Sequence, residues 1–199
     1  MTINLATANE HKADELRPLL SGHRLLTARE LGFDFDVPED GDTFLANAVD
    51  KALALYRQAG GPALADDSGL CVDALGGRPG VLSARYGSPD GRTPLPSPER
   101  NALLLAEMDG ERNRTCRFVC CLALVLSPDR VVTAQETCEG ILLDEPRGTG
   151  GFGYDPIVYL PGYGKTVAEL DAATKNLVSH RGRALRRLRA VLADLESWS

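Results

Sequence analysis

Leu64-Ala65-Asp66-Asp67-Ser68-Gly69-Leu70 decides how the chain is read, because a short apolar approach runs straight into two adjacent carboxylates, a hydroxyl and a glycine. With Pro62-Leu64 in a strand, successive side chains point to opposite faces, so only one of Asp66 and Asp67 faces any one site. The pattern predicts a division of labour: one carboxylate holds a hard cation, its neighbour fixes the loop, and Gly69 turns the backbone toward a ligand. The competing reading is an Asx turn after the strand, in which Asp and Ser bond only their own backbone.

A second cluster, Gly148-Thr149-Gly150-Gly151-Phe152-Gly153-Tyr154-Asp155-Pro156, sets four glycines around two aromatics and ends in an Asp-Pro turn. That density of glycine gives up backbone entropy, which predicts the close approach of something flat. A third cluster, Lys175-Asn176 followed by Ser179-His180-Arg181, opens the last helix. Cations there oppose the helix macrodipole, and Asp194 and Glu196 sit at the wrong end as well. A bound anion would resolve the conflict; a solvated basic face is the alternative.

Around these clusters the pattern alternates strand and helix. Thr2-Ala6 reads as a strand and Ala13-Leu20 as a helix with Asn9 in its N-cap region, a junction that offers backbone amides and Lys12 to a phosphate. Thr43 to about Gln58 reads as a helix with Phe44, Ala48, Ala52, Leu55 and Tyr56 on one face, stopped by Gly60-Gly61-Pro62. Arg92-Pro98 is a proline-rich excursion before a helix at Glu99-Met108. Phe118-Leu126 and Arg130-Thr137 read as a hairpin around Ser127-Pro128-Asp129. The last helix, Ser179 to about Leu195, places Ala184, Leu185, Leu188, Val191, Leu192 and Leu195 inward and exposes its arginines.

The 199 residues, 43% hydrophobic and 25% charged, suit one globular domain or two small lobes sharing a core. No long apolar run suggests a membrane span, and Met1-Ala6 lacks the basic start of a signal peptide, so a cytoplasmic location is expected. Five cysteines, an odd number without metal-ligand spacing, read as reduced and mostly buried thiols. A net charge of −6 argues against stable nucleic-acid binding, which needs many basic side chains. Gly162-Tyr163-Gly164-Lys165-Thr166 imitates a P-loop, yet Tyr159 occupies the place of the required first glycine, so the motif fails on spacing. His11 and His23 lie outside any metal-ligand spacing and read as surface residues.

Several motifs in order carry a resemblance. They are Ala6-Thr7-Ala8-Asn9 with Lys12, Glu39 with Gly41 and Thr43-Phe44, Asp66-Leu70, and Gly80 through Tyr86. They continue with Pro146-Arg147-Gly148, Gly151-Pro156, Gly164-Lys165-Thr166 with Ala168-Glu169-Leu170, and Lys175 with Ser179-His180-Arg181. On these the chain resembles, over nearly its full length, the inosine triphosphate pyrophosphatase family, hydrolases that clear deaminated purine nucleoside triphosphates. The resemblance implies an α/β fold: a long mixed, twisted sheet flanked by helices, in two lobes with the nucleotide in the cleft between them. It also implies a single catalytic domain over residues 1–199, a homodimer, and Mg²⁺ as cofactor.

The resemblance assigns the residues as well. Glu39 and Asp67 match the family's metal ligands, and Asp67 is the candidate to take the proton of the attacking water, although metal coordination lowers its basicity. Lys12, Lys175 and Arg181 would neutralise phosphoryl charge, while Thr7, Asn9 and Ser68 hold the triphosphate by hydrogen bonds. Ala8, Glu10 and His11 complete the first substrate-binding segment. Phe152 would stack on the purine, and Gly153, Tyr154, Asp155 and His180 would shape the base pocket and read the 6-position. Lys51 is a weaker phosphate candidate, since a lysine there is free to snorkel. Ala8, Ala46 and Leu104 depart from the family pattern, where a glycine, a glutamate and a lysine are common. Two alternatives stay open: a related pyrophosphatase for pyrimidine or methylated bases, and a noncatalytic nucleotide or RNA binder using the arginines of the last helix.

Overall fold

The computed structural model describes residues 1–7 and 9–196, with side chains up to residue 194. The expectations for Ala8, and those for the side chains of Leu195 and Glu196, lie outside the described residues. Among the described residues the strands are β1 (Thr2–Ala6), β2 (Arg24–Thr27), β3 (Ala63–Val72), β4 (Thr115–Ser127), β5 (Arg130–Leu142), β6 (Val158–Leu160) and β7 (Lys165–Thr166). The helices are α1 (Glu10–Leu19), α2 (Phe44–Ala59), α3 (Ser97–Glu107), α4 (Ala172–Val178) and α5 (His180–Glu196). The strands form one mixed sheet in the order β2-β1-β3-β4-β5-β6-β7, with β1 parallel to β2 and β3 and with β6 antiparallel to β5 and β7. This is the expected α/β class.

The chain divides into two compact units, and β3, β4 and β5 each contribute to both. The first comprises Met1–Asp67, Cys120–Thr137 and the chain from Asn176 onward; the second comprises Ser68–Val119 and Cys138–Lys175. In the first unit the two-residue period of the strands sorts the core into two layers. Leu64 of β3 and Cys120, Leu122 and Leu124 of β4 pack with Ala13 and Leu16 of α1 and with Ala184, Leu185, Leu188 and Leu192 of α5. Ala63 and Ala65 of β3, with Cys121, Ala123 and Val125 of β4, pack instead with Ala48, Ala52 and Leu55 of α2. The small alanines of that second layer let α2 lie close to the sheet.

Helix starts follow capping chemistry. Asn9 caps α1, its side chain accepting from Lys12 N at 3.3 Å, and Thr43 caps α2, accepting from Ala46 N at 3.1 Å. Ala46 stands where a glutamate would complete the reciprocal bond of a capping box, so α2 has half of that motif. Gly60 ends α2 in the left-handed conformation.

Several expectations need correction. Asp66, Asp67, Ser68 and Gly69 are not a loop after a strand; they lie inside β3, which continues to Val72. Gly69 makes no turn there. A Cβ at Gly69 would strike Ser83 Oγ and come within 2.5 Å of Gly80 O, so the glycine admits the Gly80–Ser83 turn against the strand. Lys175 belongs to α4, a separate helix, and not to the opening of α5. Val191 is 39% exposed, while Arg181 on the same helix is buried. Leu104, where the family often has lysine, is fully buried. The cysteines follow the expectation instead: all five are free thiols, four of them buried.

Candidate active site

The parity of β3 that separates the two core layers also separates the two carboxylates. Asp66 shares a face with Leu64, toward α1 and α5; Asp67 shares a face with Ala65, toward α2.

On the first face, Asp66 has no exposed side-chain surface and meets two cations. Lys12 Nζ lies 2.7 Å from its Oδ1, and Arg181 Nε lies 2.8 Å from its Oδ2. Arg181 also meets Glu15 Oε2 through Nη1 at 2.5 Å, and the Cys120 thiol donates to Asp66 Oδ2 at 3.2 Å. Burial alone would raise the Asp66 pKa, but Arg181 and Lys12 outweigh it and hold the carboxyl well below the ordinary range. Burial likewise opposes the charge of Arg181, and Asp66 and Glu15 more than restore it, raising its pKa. The conflict between Arg181 and the macrodipole of α5 is thus answered inside the chain, by carboxylates of β3 and α1.

On the second face, Lys51 of α2 is the centre. Its Nζ donates to Glu39 Oε1 at 2.6 Å, to Asp67 Oδ1 at 2.9 Å and to the Asp66 carbonyl at 3.0 Å, which uses all three ammonium protons. Lys12 reaches the same carbonyl at 3.4 Å. Burial pulls the Lys51 pKa down, but Asp67 and Glu39 reverse the effect and raise it. Asp67 goes the other way: burial raises its pKa and the Lys51 charge only partly offsets that. The second oxygen of Asp67 accepts from Asn47 Nδ2 at 3.2 Å, and Asn47 Oδ1 accepts from Gly41 N at 2.8 Å. Lys51 therefore does not snorkel. It sits four residues after Asn47 on the buried stripe of α2, and two polar residues at that spacing amid Ala48, Ala52 and Leu55 were the available signal.

The donor set suits a divalent cation. Glu39 and Asp67 each place an oxygen within hydrogen-bond distance of one point, the Lys51 nitrogen, so the two carboxylates already converge on a cation. Two carboxylates completed by substrate phosphates and water are what Mg²⁺ accepts, and no third protein carboxylate is required. The residues fit.

Other first-unit residues have plainer settings. Thr7 Oγ1 accepts from Asn9 N at 3.1 Å just ahead of α1, Glu10 and His11 are exposed on its first turn, and His180 is buried as the first residue of α5.

The second unit gathers Phe152, Asp155 and Lys175. Asp155 is buried and its Oδ2 accepts from Lys175 Nζ at 2.7 Å and from Phe152 N at 2.9 Å. Lys175 Nζ lies 5.1 Å from the centroid of the Phe152 ring, a cation–π geometry. Tyr154 donates its hydroxyl to Ser83 O at 3.0 Å and lies under Arg100, 5.1 Å from ring centroid to guanidinium carbon. Asn101 Nδ2 donates to Gly153 O at 3.1 Å. The glycines of this loop face protein: Cβ atoms at Gly148 and Gly150 would come within 2.9 and 2.7 Å of Ala168 backbone atoms, and one at Gly151 would strike the Asp155 carboxylate. Their neighbour is the chain itself, where the sequence suggested a flat partner. Ser68, at the start of this unit, is half-buried within β3.

Fold and site together define an α/β protein that sets opposite charge networks on the two faces of one strand, a construction suited to polyanion chemistry. The chain matches the model of the Ham1 family over residues 3–191 and belongs to that family. It is 48% identical over 185 residues to a dITP/XTP pyrophosphatase of Treponema denticola, covering 93% of this chain and 95% of the relative. A dITP/XTP pyrophosphatase of Gloeobacter violaceus is 50% identical over 185 residues, covering 92% and 90%. Among solved structures, a HAM1 protein from Coxiella burnetii superposes with a TM-score of 0.88 at 38% identity, covering 98% of this chain and 99% of the other.

Proposed function

We propose that the protein hydrolyses deaminated purine nucleoside triphosphates (ITP, dITP and XTP) to the monophosphate and pyrophosphate, which keeps those bases out of DNA and RNA. The observation that carries the reading is the convergence of Glu39, Asp67 and Lys51 beside the Asp66, Lys12 and Arg181 network. Family membership and the names of the relatives support it.

In the reaction, water donates its oxygen to phosphorus and the bond between the α and β phosphates breaks, so that pyrophosphate leaves with the bridging oxygen. Asp67 takes a proton from the attacking water; Asn47 and Lys51 hold one oxygen each, which leaves a lone-pair direction free on both. Mg²⁺ held by Glu39 and Asp67 would supply Lewis-acid stabilisation of phosphoryl charge. Lys12 supplies positive charge for the same oxygens; Lys51 and Arg181, whose donors are committed to Glu39, Asp67, Asp66 and Glu15, add to it only through their field, and Thr7, Asn9, Ser68 and the first N–H groups of α1 orient the phosphates. Ala8, Glu10 and His11 belong to that same segment.

Phe152 stacks on the base, with Gly153, Tyr154 and Asp155 around its polar edge. Lys175, expected on the phosphates, is reassigned to the base because it lies against Phe152 and Asp155. Donors facing a 6-carbonyl are left unpaired by adenine, whose 6-position is an amino group, and that rejects ATP. The chain acts as one catalytic domain in a cytoplasmic homodimer. No helix of the described residues is long and apolar enough to cross a membrane.

The test is a panel of nucleoside triphosphates with Mg²⁺, scored for monophosphate and pyrophosphate. Preference for ITP, dITP and XTP with pyrophosphate as first product is expected. Orthophosphate as first product, or equal turnover of ATP and ITP, overturns the reading.

A further inference from the structure

Asn47 is 2% exposed and commits one end of its carboxamide to the Asp67 carboxylate and the other to the backbone near Glu39. Its Oδ1 accepts from Gly41 N at 2.8 Å, two residues along the chain from Glu39, and its Nδ2 donates to Asp67 Oδ2 at 3.2 Å. No other side chain in the described network joins the Glu39–Gly41 segment to Asp67 except Lys51, whose flexible stem fixes distance poorly. The fit at Gly41 is tight as well: a Cβ there would lie 2.7 Å from Asn47 Oδ1 and 3.0 Å from Ala46 Cβ.

The geometry points to Asn47 as a positioning residue, one that sets the span between Glu39 and Asp67 and so the affinity for the divalent cation. This rests on the proposed function, in which those two carboxylates hold the metal. The amide is rigid and planar, and α2 holds it: Asn47 lies one turn past the Thr43 cap, between a loop that carries one ligand and the strand that carries the other. Lys51 lies one further turn along the same helix face. Both ends of the Asn47 carboxamide are committed to protein partners, so it acts through Asp67 and the Gly41 backbone.

Mn²⁺ binding to the nucleotide-free protein, followed by electron paramagnetic resonance, tests this directly, alongside the Mg²⁺ concentration for half-maximal pyrophosphate release. Asn47→Ala should weaken Mn²⁺ binding about 10–100-fold, the range for loss of a partner that orients a metal ligand, and raise the Mg²⁺ requirement by a similar factor. At saturating Mg²⁺, kcat should recover to within about threefold, because the ligands and the base remain. Gly41→Ala, which leaves Asn47 in place and crowds its Oδ1, should weaken metal binding in the same direction and serves where Asn47→Ala does not fold. Asn47→Asp keeps the acceptor for Gly41 and loses the donor to Asp67, so it should not rescue. Wild-type Mn²⁺ affinity in folded Asn47→Ala or Gly41→Ala, or a kcat loss that excess Mg²⁺ does not recover, overturns the inference while leaving the proposed function standing. A wild-type protein indifferent to Mn²⁺ and Mg²⁺ overturns both.

Discussion

Two neighbouring aspartates of one strand carry opposite pKa shifts, and they should answer opposite experiments. Asp66 is held down by Arg181 and Lys12 against the effect of its burial, so its folded pKa lies below the unfolded value. Its share of stability is complete above the unfolded pKa, about 4, and is lost as pH falls toward the folded one. Asp66→Asn should therefore destabilise by about 3–5 kcal/mol near pH 7, because Lys12 and Arg181 lose a buried partner. The gap between variant and wild type, read as urea midpoints, should narrow below about pH 4. A gap independent of pH would contradict the charge assignment. Asp67 has a pKa raised by burial, so its ionised form works against stability at neutral pH. Asp67→Asn should keep or raise the thermal midpoint while turnover falls about 10²–10⁴-fold or more, the usual contribution of a positioned base, which is the role proposed for Asp67. Calorimetry and pyrophosphate release on the same preparation settle the pair; a clear loss of stability in Asp67→Asn would mean that Lys51 depends on Asp67 more than on Glu39.

Elements of the fold were legible wherever an apolar period was long. α2 starts and stops within a residue of the pattern because Thr43 and Gly60 mark its ends chemically and five small or apolar residues, Phe44, Ala48, Ala52, Leu55 and Tyr56, mark its face. β2, β6 and β7 leave no signal in the sequence, since two to four residues are too few to show any period. β3 is legible only in part. Two carboxylates and a glycine look like a turn to any local rule, and only tertiary partners, cations from three helices and the Gly80–Ser83 turn, make a strand of them. Asn47 gives no signal by itself in the sequence and Lys51 reads there only as a weak phosphate candidate, for a related reason: a polar residue in an apolar stripe looks like a solvated exception until its buried partners are known. The β3 contact at Gly69 is testable. Gly69→Ala forces Cβ against Ser83 Oγ and Gly80 O, while Ser83 Oγ already accepts from Leu70 N at 2.8 Å. A loss of about 1–3 kcal/mol is expected from the overpacking, seen as a lower denaturant midpoint with an unchanged slope. An unaffected midpoint would show that the turn can withdraw from the strand.

For the whole molecule, a sheet whose two faces are covered by different helices has a chemical meaning set by counting. Asp66 reaches Lys12 and Arg181, and Asp67 reaches Lys51 and Asn47, only because one follows the other by a single residue in an extended chain. The alternation acts as an odd–even code, and a code of that kind tolerates substitution far better than it tolerates a frameshift in space. One residue inserted between Leu64 and Ala65 would hand each aspartate to the other's partners and turn alanines and leucines to the wrong layers together. Such an insertion should abolish both metal-dependent turnover and cooperative unfolding. The same residue inserted at Pro128–Asp129, where β4 turns into β5, should leave the far-ultraviolet dichroism and pyrophosphate release near wild type. If both insertions were equally harmless, register would not be what keeps the two charge networks apart. If the code holds, descendants of this chain are free to lengthen at that hairpin and are bound to a fixed residue count from Ala63 to Asp67.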